Sequence, residues 1–365
     1  MRWFIQSKRV MKRDHTWIVR EGEEKHLEGI LSLRKIAFGG EEEDKLDPRF
    51  WRWEFKEGPD GRAWIYIVED KNKIIGHFAD IPRRFCIQGE VIIGTLSLDL
   101  MVHPDYWRKG IFEAMGRYGA QRVKQGNGCF MTAFPIRPET IFGLKKIGWR
   151  EVVKLPVLVY PIRFTGILNR YLHLYPLSQL IGGIARFFYS LLYGFKRKHG
   201  IGEMEIEKVD LLDHQFDRFW QKASSLYSIM GIRNQNYLTW RYLQHPTRSY
   251  TIYRVMKSGE MRGYAVLRKV ELLNFNSAVI VDLLALDEEA FWALTEKGIQ
   301  HGHREGADLL GFMVPQTHPY YKSLIHRGFL PSLKSFQFMI YDHGNRAALR
   351  DPKGWYVNWG DTDVI

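Results

Sequence analysis

The chain has 365 residues, 45% hydrophobic and 26% charged, which describes a globular protein of about two domains and excludes a disordered one. Two cysteines, Cys86 and Cys129, exclude a disulfide scaffold and multi-cysteine metal clusters. They suit a reducing, cytoplasmic setting with no metal, while the +12 formal charge suits an anionic surface or a polyphosphate ligand.

The basic start, Met1–Val10, is followed by Lys12-Arg13-Asp14-His15 and lacks the apolar run of a signal peptide. A helix is predicted over Glu23–Ala37, then a strand over Trp64–Glu69 that turns at Asp70-Lys71-Asn72. A long apolar strand follows (Thr95–His103), then an amphipathic helix (Ile111–Gln125), a short strand (Cys129–Phe134) and a helix (Pro138–Ile147) that stops at Gly148-Trp149. Residues 156–205 begin as a strand at Val157–Tyr160 and continue as apolar helix. The stretch Tyr171–Phe195 is broken by Pro176, Gly182, Gly183 and Arg186, so it cannot span a bilayer. Its Phe187-Phe188-Tyr189 and Lys196-Arg197-Lys198 suit interdomain packing or peripheral membrane contact through 171–198.

The same pattern then repeats: a helix at Asp213–Tyr227, strands at Tyr250–Val255 and Ala278–Leu286, a helix at Glu288–Glu305, a strand at Leu309–Val314 and a helix at Pro319–Arg327. Individual residues repeat with it. Phe50, Trp53, Phe55 and Pro59 recur as Tyr237, Trp240, Tyr242 and Pro246, each 187 positions later, and Gly76 recurs as Gly263. Asp99 then matches Asp282, and Gly148-Trp149 matches Gly328-Phe329, at slightly shorter spacing. An ordered series with a slowly drifting offset indicates a duplicated unit of domain size.

The segment Leu96–Phe112 carries the chemistry. An apolar strand ends at Pro104, a basic turn follows, and Gly110 opens a helix. Helix-start amides lack intrahelical partners and sit at the positive end of the dipole, and Arg108 and Lys109 add full charges. Such a turn can cradle a pyrophosphate. It resembles the acetyl-CoA-binding motif of the GCN5-related N-acetyltransferase (GNAT) superfamily, with Pro104, Tyr106, Lys109, Gly110 and Ile111 in place. Trp107, Arg108 and Phe112 depart from the pattern, and Phe112 replaces a small residue where it would crowd phosphates. The resemblance extends from Ile18 to Ile162 and closes on Ile147-Gly148-Trp149.

The resemblance implies an α/β (α+β) fold with two GNAT-like domains, each a mixed, mostly antiparallel twisted sheet flanked by helices. The expected divisions are an N-terminal domain at 15–162, an apolar helical linker at 163–204, a C-terminal domain at 205–342 and a tail at 343–365. It further implies acetyl-CoA as co-substrate. The strand edge Met101-Val102-His103 would bond the pantetheine arm, and the amide of Met101 or Val102 would polarise the acyl carbonyl. The turn Trp107-Arg108-Lys109-Gly110-Ile111-Phe112 would hold the pyrophosphate, with Thr140 near the pantetheine path. Asp99, a lone carboxylate on an apolar strand, is the candidate base, or else a buried partner of Arg83 or Arg84. His103 is a second catalytic candidate. Tyr106 is the available proton donor, because Ile141–Lys146 lacks the tyrosine that many GNAT enzymes use.

At the equivalent turn the second copy reads Leu286-Asp287-Glu288-Glu289-Ala290-Phe291-Trp292, with three acids and no glycine, and should bind no acyl-CoA. The expected activity is acetyl transfer to a primary amine by direct attack in a cleft between the copies, without nucleic acid. The alternatives are a non-catalytic binding protein of the same fold, or transfer from another acyl or aminoacyl donor.

Overall fold

The computed structural model describes residues 17–39, 42–172, 181–184, 187, 189 and 204–364. Most of the 171–198 stretch considered for membrane contact, including Phe188 and Lys196-Arg197-Lys198, lies outside them. No described helix is long and apolar enough to cross a membrane.

The first copy contains β1 (Ile18–Glu21), α1 (Leu27–Phe38), α2 (Pro48–Lys56), β2 (Trp64–Asp70), β3 (Lys73–Ile87) and β4 (Glu90–Val102). It continues with α3 (Ile111–Gln125), β5 (Phe130–Ala133), α4 (Pro138–Lys146), β6 (Arg150–Pro161) and α5 (Phe164–Leu172). The second contains β7 (Glu205–Val209), α6 (His214–Ala223), β8 (Ile229–Gly231) and α7 (Gln235–Leu238), which runs on into a wider turn over Thr239–Leu243. After these come β9 (Thr251–Lys257), β10 (Glu260–Leu272), β11 (Phe275–Ala285), α8 (Glu288–Arg304), β12 (Leu309–Met313), α9 (Tyr321–His326) and β13 (Leu330–Asp342). The chain ends near β14 (Trp355–Tyr356).

All described strands join one sheet, whose main path is β1-β2-β3-β4-β5-β13-β6-β12-β11-β10-β9-β7. Each copy pairs its two long strands antiparallel and then adds a short parallel one, β5 on β4 and β12 on β11. The final strands are exchanged. β13 of the second copy pairs with β5 of the first, and β6 of the first pairs with β12 of the second. Burial of β5 on every side chain explains the need: its outer edge requires a partner, and β13 supplies it.

The duplicated aromatic segments meet at the centre. Asp47 caps α2 by accepting from the amide of Arg49, Pro48 pre-sets the first turn, and the helix buries Phe50, Trp51, Trp53, Glu54 and Phe55. Trp53 and Trp240 stack with ring centroids 4.8 Å apart. Each indole N–H donates to the other's backbone carbonyl, at 2.9 and 3.2 Å. Reciprocal contacts between equivalent residues define a local two-fold axis relating the copies. The tail closes this core from outside: Trp359 is fully buried, and Asp361 accepts from Arg83 and Arg233 at 2.7 Å each.

Candidate active site

Two features converge on the first copy. One is the turn before α3. Gly110 begins the helix at φ +84° with no side-chain cap, and Arg108 is also left-handed at φ +62°. A Cβ at Gly110 would meet no atom within 4 Å, so the space over the helix start is open. Arg108, Lys109 and Gly110 are exposed, leaving amides and positive charge facing outward. Phe112 does not crowd this space. Its ring lies against α4 over Gly143, where a Cβ would come within 2.6 Å of it. The residues present therefore fit a pyrophosphate, and the departure at Phe112 is absorbed by a glycine on the neighbouring helix.

The other feature is a bulge in β4. His77 faces Met101 and Ala79 faces Leu98, so Asp99 and Leu100 together oppose Phe78. Asp99 takes φ +56°, a conformation that aspartate tolerates better than most residues. Beyond the bulge the amide of His103 donates to Ile75 on β3. Alternation along the strand turns Met101 the same way and leaves Val102 facing the gap toward β5, which pairs with β4 only at Thr95 and Leu96. Trp107, 61% exposed, donates its indole N–H to the Val102 carbonyl at 2.9 Å. The Val102 amide is the donor that this register leaves on the open side.

The bulge aims Asp99 beneath α1, where it pairs with Arg34, not with Arg83 or Arg84. Burial pushes the Asp99 carboxyl up, but Arg34, Lys45 and His77 outweigh it and hold it at about 2. His103 is buried, with Nε2 3.1 Å from Lys73 Nζ and Nδ1 accepting from the amide of Asp105. Tyr106 donates to Asp70 at 2.7 Å, a bond that raises its hydroxyl's pKa. Both side chains thus engage the β2–β3 turn. Thr140 stands in the first turn of α4, whose N-cap, Arg137, makes no side-chain cap bond.

Sequence reasoning did not single out Glu54. This α2 carboxyl is 4% exposed, and its Oε2 has no hydrogen-bond partner. Burial, then the charge of Asp99, push it up to about 8, against the pull of Lys45. Glu54 lines a narrow cleft together with Trp53, Trp240, Arg241, Leu96 and Asp363. The cleft therefore draws on both copies and the tail. The available signal was an acid set between Trp53 and Phe55 in the repeated aromatic segment, with Arg241 at the matching place.

In the second copy the corresponding turn is closed. Asp287 caps α8 by accepting from the amide of Ala290 and also pairs with Arg262, while Glu289 pairs with Lys257. Asp282 accepts from Arg233, Tyr242, Tyr264 and Asn358 and has no capacity to spare.

A mixed sheet with a bulged fourth strand feeding an uncapped, glycine-initiated helix is the acyl-CoA N-acyltransferase type of fold, and the first copy has these features. Residues 18–151 match the acetyltransferase (GNAT) domain family. A GCN5-related N-acetyltransferase from Anabaena variabilis superposes with a TM-score of 0.62 at 12% identity, over 89% of this chain and 72% of its own. An Enterococcus faecalis protein described as a probable N-acyltransferase gives 0.61 at 13% identity, over 90% and 73%. N-myristoyltransferase of Saccharomyces cerevisiae, solved with myristoyl-CoA, gives 0.60 at 11% identity, over 94% and 86%. These likenesses show a GNAT-like fold. The sequence matches no curated protein.

Proposed function

We propose that the protein is an acyl-CoA-dependent N-acyltransferase that moves an acetyl group to a primary amine held in the cleft between the copies. The observation that carries this reading is the asymmetry of the two helix starts, one open and basic, the other capped and acidic. Bound acyl-CoA would supply an activated acyl group. The first-turn amides of Ile111 and Phe112, with Arg108, Lys109 and Gly110, would hold its pyrophosphate, and Thr140 and Trp107 would flank the pantetheine arm. The Val102 N–H would polarise the acyl carbonyl, as a fixed backbone donor does for a developing oxyanion.

An attacking amine must lose a proton. Glu54 lines the cleft with a buried, unpartnered Oε2 and a basicity matched to that task, whereas Asp99 is bound to Arg34 and too weak a base. Asp99 instead positions: its pair with Arg34 pins the bulge that aims Val102. His103 and Tyr106 hold the basic turn through Lys73 and Asp70.

Calorimetry with acetyl-CoA tests this directly. The expected result is one site per chain, lost in Gly110→Trp. No heat at millimolar acetyl-CoA would end the enzyme reading, and tighter binding of a longer acyl-CoA would replace the donor.

A further inference from the structure

Five charged side chains line the cleft, and three are neutralised inside the protein. Asp60 accepts from Arg84 at 2.5 Å, Arg83 donates to Asp361 at 2.7 Å, and Lys45 donates to Asp363 at 2.9 Å. The remaining two, Glu54 and Arg241, make no ion pair with any described residue, although they are only 4% and 5% exposed. Arg241 donates to the Thr362 carbonyl and lies over the Trp53 ring, which uses one edge of its guanidinium.

A buried carboxyl and a buried guanidinium without an ion-pair partner are costly, and a chain retains them where a ligand completes them. The opposite signs specify that ligand. Glu54 and Arg241 occupy the same place in the two copies, so the two-fold axis sets an acid and a guanidinium across one cleft. A simple amine would satisfy only Glu54 and would leave Arg241 unmatched. Guanidinium geometry suits a carboxylate, which it can grip through two parallel hydrogen bonds. The walls between the charges, Trp53, Trp240, Tyr237, Ile81 and Leu96, are aromatic or apolar.

We infer that the acceptor is a free α-amino acid with an apolar or aromatic side chain, its carboxylate on Arg241 and its amine toward Glu54. This rests on the transferase reading above, but the binding half of the claim can be measured without any transfer.

The experiment is calorimetric binding of apolar and aromatic amino acids and their α-amides to the full chain, paired with CoA-thiol release when acetyl-CoA is added. The free acids should bind about 10–100-fold more tightly than the amides, as expected for a charge-assisted pair. Arg241→Met should abolish that preference while leaving amide binding unchanged, and Arg241→Lys should restore part of it. Acids and amides that bind alike, or a preference that survives Arg241→Met in a folded variant, would overturn the inference. Carboxylate-dependent binding without thiol release would uphold Arg241 and refute the transferase reading instead. If Arg241→Met does not fold, the Lys variant decides: retention of the full preference would exclude a guanidinium grip.

Discussion

The two copies share a sheet order, a bulge and an aromatic segment, yet they use the same positions for opposite ends. At the start of α3 no side chain caps the first copy's amides, whereas Asp287 caps the Ala290 amide of α8 from within the chain. At the bulge Asp99 meets one arginine, while Asp282 is surrounded by Arg233, two tyrosines and Asn358. A duplicated fold can thus divide labour by side-chain satisfaction alone: the copy whose polar groups are answered internally becomes scaffold, and the copy left unanswered can take a ligand.

The largest effects should come from removing that openness. Gly110→Trp should abolish acetyl-CoA binding by calorimetry, whereas Ala290→Trp at the closed turn should leave it intact. Glu54→Gln should lower turnover by about 10²–10⁴-fold, the range for losing a general base. In the wild type the rate should rise tenfold per pH unit and level off above about 8, because a protonated Glu54 cannot accept a proton. That limb should vanish in the variant. The same shift has a stability sign. Glu54 holds its proton more tightly folded than unfolded, so stability should fall as pH rises from the ordinary 4.5 through about 8. Chemical denaturation of Glu54→Gln should not show this fall.

Next come the buried pairs. Arg233→Met leaves Asp282 without its cation and Asp361 with only Arg83, and should cost about 3–5 kcal/mol in urea titrations. Asp99→Asn leaves Arg34 with only Glu42 and should destabilise by a similar amount. It should keep a pH-rate limb, moved below 8 because the Asp99 charge no longer holds Glu54 up. Loss of that limb would return the base role to Asp99. The smallest effect belongs to Asp287→Ala, which removes a cap worth about 1 kcal/mol and should leave acetyl-CoA affinity unchanged. New CoA binding by that variant would mean that charge alone had closed the second copy.

Much of this was legible in the residues. Spacing and periodicity place α3 and the short strand β5, and the repeat pairs Trp53 with Trp240 before any coordinate does. The open turn follows from Gly110 with Arg108 and Lys109. What the sequence could not show was lateral. Asp99 pairs with Arg34 because the bulge turns it under α1, and bulges leave little trace in a run of apolar residues. Glu54 and Arg241 become a pair only through the two-fold contact, and the tail that delivers Asp361 and Asp363 carries no periodic pattern at all. The exchange of β6 and β13 was equally hidden, since each strand would read the same in its own copy.

That exchange bears on how the chain reaches its native state. β5 is complete when Ala133 has been made, but its partner on β13 lies about 200 residues further on, some 10–40 s later at ordinary rates of synthesis. Until then the first copy presents a short apolar edge with unmet amides, the kind of surface that pairs with the wrong neighbour. Closure of the open copy is therefore among the last events of biosynthesis, and nascent chains should lean on chaperones for longer than their modest domain size suggests.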